Sequence, residues 1–372
     1  MKIIIVGTAY PYRGGLATFN ERLAHQFQTE GHDVEIITFT LQYPAFLFPG
    51  KTQFSEDEAP SSLKISRQIN SINPFNWFKI GKQIRTKQPD VVVFAYWMSF
   101  IAPCFGSMAR LIKKDSHIKC VALVHNMLPH EPSLLDKLLP PYFVSAMDEF
   151  VALSQSVVND IAQIDKKNKP KRFSPHPIYD HYGELLTKEQ AAKQLQLNTN
   201  ISYLLFFGFI RSYKGLDLLL EALGDERLKT WETKLIVAGE FYEDSKPYME
   251  IIERLQLQNR VILHTSFIPN KDVNAYFSIA DLIVQPYKTA TQSGVTQIAY
   301  HFEKPMLVTN VGGLSEIVPH GKAGYVAEPN VKSIADALVN FKNHPCNFSE
   351  GIKQEKQKYT CDKLTKVILS LT

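Results

Sequence analysis

The chain has 372 residues, 45% of them hydrophobic and 21% charged, with a formal net charge of +4. That length accommodates two domains, each with its own core, and the composition is that of a globular protein rather than a disordered or fibrous one. The mild positive charge gives no case for a nucleic-acid partner. Four scattered cysteines without a Cys-x-x-Cys pair argue against a disulfide scaffold or a zinc site, and no stretch approaches the roughly 20 apolar residues of a membrane span. The expected location is cytoplasmic, with a candidate peripheral contact at the inner face of the membrane.

Lys2–Gly7 reads as a buried strand rather than a signal peptide, because its apolar run is short and leads into Tyr10-Pro-Tyr-Arg-Gly-Gly15. Leu16, Phe19, Leu23 and Phe27 then recur at helical spacing, and Val34–Thr38 is the next strand. This βαβ unit predicts a parallel sheet with helices on both faces. The loop is not a Gly-x-Gly-x-x-Gly fingerprint, which disfavours a dinucleotide enzyme. Gly14 and Gly15 allow either an anion at a helix N-terminus or simply a tight turn.

From Leu41 to Asn76 no regular pattern is legible, and Tyr43–Pro49 sets aromatics between two prolines. Such a loop is a candidate ligand contact or a packed lid. Phe75–Lys87 predicts a basic amphipathic helix, read as core-facing with a solvated basic back, and alternatively as a contact for an anionic membrane. Strands follow at Asp90–Ala95, Ile118–Val124 and Phe150–Leu153. The second of these ends in His125-Asn-Met-Leu-Pro-His-Glu131, and strand ends are where open α/β sheets bind ligands. The basic run 166–172 reads as a solvated turn, and the prolines of Ser174–Tyr179 as a stiff connector.

A second βα series opens with Tyr203-Leu-Leu-Phe-Phe-Gly208 and delivers Arg211, Lys214 and Gly215 to the start of a leucine-rich helix. Two cations at that place form a receptor for a phosphate or diphosphate. Strands at 233–239, 261–264, 281–285, 305–309 and 324–326 alternate with helical segments. The predicted boundaries are 1–180 for the first domain, 181–350 for the second, and a C-terminal helix over 351–372 that returns to the first.

Taken together, these motifs resemble the retaining glycosyltransferases of the GT-B fold, family 4. The resemblance rests on Gly14-Gly15, His125 at a strand end, Gly208-x-x-Arg211-x-x-Lys214-Gly215, and Gly312-Gly313-x-x-Glu316. It implies an α/β architecture of two doubly wound Rossmann-like domains facing a cleft. It also implies sugar transfer from a nucleotide-diphosphate-sugar to a hydroxyl of a glycan or lipid-linked acceptor, as in cell-surface polysaccharide or glycolipid synthesis. By the same resemblance Arg211 and Lys214 hold the diphosphate and His125 approaches the transferred sugar. Gly14, Gly15, Gly208, Glu240, Ser293, Gly294, Val295 and Glu316 are expected on the donor side, and His130 and Glu131 on the acceptor side. No metal or other cofactor is expected, since fixed cations stabilise the leaving phosphate and no Asp-x-Asp motif is present.

One departure stands out. The family's Glu-x7-Glu signature is replaced by Ala290 and Ile298 when Lys304-Pro305 sets the register, which leaves Thr291, Gln292, Ser293 or Gln297 as candidates to replace the carboxylates. The alternatives to be weighed are a nucleotide-sugar epimerase of the same fold and a non-catalytic nucleotide-sugar-binding protein.

Overall fold

The structure is a computed structural model that describes residues 1–44, 53–55, 58–114, 117–127, 134–180, 182–290, 293–344 and 347–370. The chain divides into two units, Met1–Pro177 with Thr360–Thr372, and Ile178–Tyr359. Both units fold around all-parallel sheets, and the two sheets share one winding.

In the first unit, β1 (Lys2–Val6) lies between β2 (Asp33–Leu41) and β4 (Val91–Tyr96), within a seven-stranded sheet ordered β3-β2-β1-β4-β5-β6-β7. Ile3 to Val6 and Val91 to Phe94 are all fully buried, in register Ile4↔Val92. A parallel strand covered on both faces must be apolar throughout, which is why these runs were readable as strands. The next strands are β5 (Lys119–Val124) and β6 (Glu149–Ala152), and the edges are β3 (Lys64–Asn70) and β7 (Lys171–Phe173).

Both edge strands correct the sequence reading, which found no regular element over 41–76 and a turn over 166–172. An edge strand has one unpaired side and carries polar residues, so it lacks the apolar run that marks its neighbours. Lys171 of β7 pairs with buried Asp165 at 2.7 Å rather than standing in solvent.

The helices of this unit are α1 (Gly15–Thr29), α2 (Pro74–Thr86), α3 (Ala102–Lys113), α4 (Leu134–Ala146) and α5 (Gln155–Ile164). α2 packs on α3 and α3 on α4 over one face of the sheet. Their shared core includes Ile80, Ile84, Phe94, Phe105, Met108 and Phe143, and Phe143 stacks on Tyr96 at 4.3 Å between ring centroids.

In the second unit, β8 (Ser202–Phe207), β9 (Thr233–Ala238), β10 (Val261–His264), β11 (Leu282–Gln285), β12 (Met306–Thr309) and β13 (Gly324–Ala327) form a six-stranded sheet ordered β10-β9-β8-β11-β12-β13. The strand order reverses between β8 and β11, as it does between β1 and β4 in the first unit. Loops leaving the carboxyl ends on either side of such a switch point diverge and leave a crevice. Helix α6 (Lys188–Leu195) starts on a capping box of Thr187 and Gln190, and α7 (Leu216–Leu223), α8 (Lys246–Arg254), α9 (Val273–Ile279), α10 (Gly294–His301), α11 (Leu314–Ile317) and α12 (Val331–Asn343) follow.

The unit boundaries differ from those expected from sequence. The crossing falls at Pro177/Ile178, and α13 (Ser349–Lys356) belongs to the second unit, where the Lys356 ammonium donates to the His301 carbonyl at 3.0 Å. Only α14 (Cys361–Leu369) returns to the first, where the Thr365 hydroxyl donates to Glu30 of the α1 C-cap at 2.6 Å.

Candidate functional site

In the second unit the chain leaving β8 turns at Gly208, whose φ of +94° is left-handed. Its N–H donates to the Ala238 carbonyl at 2.9 Å, and the Ile210 N–H to the Glu240 carbonyl at 2.9 Å. The loop thereby stays hydrogen-bonded beside the end of β9. A Cβ on Gly239 would lie 2.2 Å from the Gly208 carbonyl oxygen, so the two strand ends meet where only glycine fits.

Residues 212–214 form one turn of 3-10 helix, and Gly215 (φ +69°) starts α7. A Cβ on Gly215 would lie 2.0 Å from the Pro286 carbonyl oxygen, so the turn is pressed against the loop that follows β11. The Lys288 N–H donates to the Tyr213 carbonyl at 2.7 Å and the Lys288 ammonium pairs with Asp217 at 2.7 Å, so the two switch-point loops hold each other.

This framework fixes Lys214. Its side chain is buried, and burial, reinforced by the nearby Arg211 charge, pulls its pKa down to about 8. The ammonium lies 5.7 Å from the centroid of the Tyr287 ring, a cation–π contact. Arg211 is exposed, and its guanidinium lies 5.1 Å from the centroid of the Tyr242 ring. Lys214 is held without a carboxylate among its electrostatic neighbours, and so gains from an anionic ligand.

Across the switch point, Ser293 caps α10 by accepting from the Val295 N–H at 3.2 Å, and its hydroxyl lies 3.3 Å from that of Tyr287. Gly294 packs against Tyr179, where a Cβ would lie 2.9 Å from the ring. Val295 stands 3.9 Å from the Cβ position of Gly208. The second unit therefore brings together Gly208, Lys214, Ser293 and Val295, with buried Glu240 on the adjoining β9 loop. Glu316 is exposed on α11, within electrostatic reach of Tyr359.

Ile298, in place of the second signature glutamate, is buried in α10. Beside it Thr296 and Gln297 are fully buried. The Thr296 hydroxyl donates to the side-chain amide oxygen of Gln285 at 3.3 Å, while neither amide atom of Gln297 meets a hydrogen-bond partner. Thr291 and Gln292 lie outside the described residues.

In the first unit the loop after β1 is pinned by three contacts. The Ala9 N–H donates to Thr38 at 3.0 Å, the Tyr10 N–H to Glu21 at 2.6 Å, and the Asn20 amide to the Thr8 carbonyl at 2.8 Å. Gly14 (φ +103°) is the N-cap of α1 with no atom within 4 Å of its Cβ position, and exposed Gly15 begins the helix.

His125 follows β5 directly, and its N–H donates to the Tyr96 carbonyl at 2.8 Å. Its ring packs edge-on against Phe19 at 4.6 Å, and Phe19 meets His176 at 4.8 Å. Burial, followed by the proximity of His176, pulls the His125 pKa down to about 3, and burial pulls His176 down to about 4. Both imidazoles are neutral at neutral pH. His130, Glu131 and most of the Tyr43–Pro49 loop lie outside the described residues.

Sequence reasoning missed Tyr287, Tyr242, Tyr179, Phe19 and His176 as neighbours of these groups. Only the placement of Tyr287 two residues beyond β11 carried a signal, being a strand end at the switch point.

Two family models match the chain, "Glycosyl transferases group 1" over residues 187–359 and "Glycosyltransferase Family 4" over residues 13–176. Among curated proteins it is 22% identical to the N-acetyl-alpha-D-glucosaminyl L-malate synthase of Bacillus anthracis, with 99% of this chain and 95% of that protein covered. It is 26% identical to the lipopolysaccharide 1,2-N-acetylglucosaminetransferase of Salmonella typhimurium, over 70% of this chain and 65% of that protein. Among solved structures, Anabaena HepE in complex with UDP-glucose superposes with a TM-score of 0.74 at 15% identity, covering 100% of this chain and 98% of that one.

Proposed function

Since the chain belongs to the group 1, family 4 glycosyltransferases of the GT-B fold, we propose that it moves a sugar from a nucleotide-diphosphate donor to a hydroxyl acceptor, with retention of anomeric configuration. The observation that carries this reading is Lys214, a buried ammonium held by the β8–α7 turn beside Gly208 and the capped start of α10. A diphosphate supplies the negative charge this ammonium lacks. The relatives are in keeping with such a donor: HepE is solved with UDP-glucose, and the Salmonella relative is named for transfer of N-acetylglucosamine.

In the proposed reaction the bond between the anomeric carbon and the diphosphate oxygen breaks, and its electron pair passes to that oxygen. The acceptor hydroxyl forms the new bond on the same face and gives its proton to the departing phosphate. Charge grows on the phosphate as the bond breaks, so Arg211 and Lys214 stabilise the transition state more than the bound donor. These two cations take the place a metal ion fills elsewhere.

Gly14 and Gly15, at the start of α1, are the first unit's donor-side residues. His125, neutral, offers a hydrogen bond to the sugar without adding charge. Glu240, Ser293, Gly294, Val295 and Glu316 complete the donor side, and His130 with Glu131 the acceptor side. The acceptor is a growing cell-surface glycan or glycolipid, met from the cytoplasm at the membrane surface. Among the described residues no helix is long and apolar enough to cross a bilayer.

The test is a thermal-shift series with UDP, GDP, ADP and their sugars, followed by turnover of the stabilising donor. A ligand selective for the folded state raises the melting temperature. Lys214→Met and Arg211→Ala are each expected to lower turnover by about 2–4 kcal/mol of transition-state stabilisation. Full turnover in both variants would refute the assignment.

A further inference from the structure

Helix α2 carries its aromatic residues on the unexpected side. Ile80, Gly81 and Ile84 are buried, and a Cβ on Gly81 would lie 3.0 Å from Cβ of Leu111 on α3, so the rotation of α2 is fixed by close contact with its neighbour. The Trp77 indole, half-buried, donates to the Asn70 carbonyl at 2.7 Å and anchors the first turn. With that face inward, Phe75, Phe78, Lys79 and Lys82, three and four residues apart, share the outward face. Phe75 is 87% exposed, Phe78 49%, and Ile72 just before the helix 50%. Phe75 and Phe78 therefore stand with the lysines on the outward face.

The same layer continues this chemistry. On α4, Leu138 and Tyr142 are exposed, and the Arg110 guanidinium of α3 lies 3.9 Å from the Tyr142 ring centroid. α2 and α3 carry Lys79, Lys82, Arg85, Arg110 and Lys113 and contain no aspartate or glutamate. Of these cations, Lys113 pairs with Asp148.

We propose that the outward face of α2, extended by α3 and α4, is a docking surface for anionic phospholipid, with Phe75, Phe78 and Ile72 entering the headgroup layer and Lys79 and Lys82 meeting lipid phosphates. Charge complementarity selects this occupant. Protruding phenyl groups gain from an interface that is apolar below and anionic above, and lysines beside them gain from its surface potential. A second copy of the chain would bring like charges face to face. The inference rests on the proposed membrane-borne acceptor for its purpose only; it is independent of the donor chemistry.

The test is co-sedimentation of the full chain with vesicles of phosphatidylglycerol and phosphatidylcholine, and with phosphatidylcholine alone. The wild-type protein is expected on the anionic vesicles at low salt and largely off them at high salt. Lys79→Glu with Lys82→Glu is expected to lower partitioning by at least about fivefold per lysine. Phe75→Ser with Phe78→Ser is expected to lower it at least about tenfold. Both double variants are expected to keep the wild-type thermal shift with nucleotide, while Lys214→Met loses that shift and still binds vesicles. Lack of binding by the wild type, equal capture by neutral vesicles, or unchanged binding by both double variants overturns the proposal. So does loss in the phenylalanine variant of concentration-dependent self-association alone, which would make the face a contact between copies. Failure of the nucleotide shift in the wild type would count against the donor reading and leave the vesicle result standing.

Discussion

The Lys214 ammonium lies 3.0 Å from the point where a Cβ on Gly208 would stand. A residue that is only backbone and a residue whose charge is buried are thus two parts of one device. The absent side chain at 208 is the space the ammonium uses, and the left-handed φ of +94° is the conformation that opens it.

Gly208→Ala and Gly215→Ala are therefore expected to fail in different ways. At 208 the close atom is the end of a flexible side chain, so the added methyl displaces the ammonium, with backbone strain of about 1–2 kcal/mol. At 215 the close atom is a backbone oxygen at 2.0 Å, which cannot yield without moving the loop after β11. Urea unfolding should show the larger loss for Gly215→Ala, while nucleotide affinity measured on still-folded protein falls for Gly208→Ala. Equal stability of the two variants would show that the turn is not pressed against Pro286.

The pH dependence of donor binding follows from Lys214. Its pKa in the ligand-free fold is about 8, below its ordinary value, because burial and the Arg211 charge disfavour the ammonium. A bound diphosphate favours the ammonium and raises that pKa. Below pH 8 the lysine is already charged and affinity is flat; above it, binding must take up a proton, so affinity falls by up to about tenfold per pH unit. The same depression costs the free fold stability that returns as pH rises from 8 toward 10.5. Lys214→Met should accordingly be more stable than wild type at pH 7, by an amount that shrinks above pH 8. Titration calorimetry with a nucleoside diphosphate at pH 7 and 9 checks the first statement; an affinity equal at both would remove Lys214 from the phosphate site.

How much of this could be read without coordinates depended on whether a residue's task is local. Ile3–Val6 and Val91–Phe94 are buried on both faces, so their apolar runs announced the central strands. Gly208, Arg211 and Lys214 sit within one strand–turn–helix, and their spacing alone suggested an anion receptor. β3 and β7 escaped notice because an edge strand tolerates lysine and arginine. The orientation of Phe75 and Phe78 was not legible for a related reason: periodicity shows that a helix has two faces, but only the contact of Gly81 with Leu111 shows which is inward. Tyr287 and His176 reach Lys214 and Phe19 across long sequence separations, which no local pattern encodes.

The paired histidines of the first unit predict an acid sensitivity. His125 and His176 have pKa values lowered to about 3 and about 4 by burial, whereas in the unfolded chain both titrate near 6.5. The unfolded state thus binds more protons below pH 6.5, so the stability these neutral rings allow is complete above that pH and is lost as pH falls toward 4. Each ring contributes a slope of up to about 1.4 kcal/mol per pH unit. Urea midpoints at pH 7, 6 and 5 should fall steeply for wild type and less steeply for His176→Gln. Parallel curves for the two proteins would mean that His176 is protonated in the fold.

Gln297 bears on the missing carboxylates. It is fully buried in α10, and neither its amide oxygen nor its amide nitrogen meets a hydrogen-bond partner. Leaving such a group unpaired costs about 1–3 kcal/mol, and an apolar side chain of similar shape removes that cost. Gln297→Leu is therefore expected to raise the melting temperature of the ligand-free protein, by about 2–4 °C for each kcal/mol recovered in a unit of this size. The nucleotide-induced shift, measured on the same variant, then separates two roles. A smaller shift than wild type places the amide among the groups that replace the signature glutamates at Ala290 and Ile298; an unchanged shift leaves that task to Ser293 and the start of α10. A lower melting temperature would sink the premise, since it would mean that the amide is already paired inside the fold.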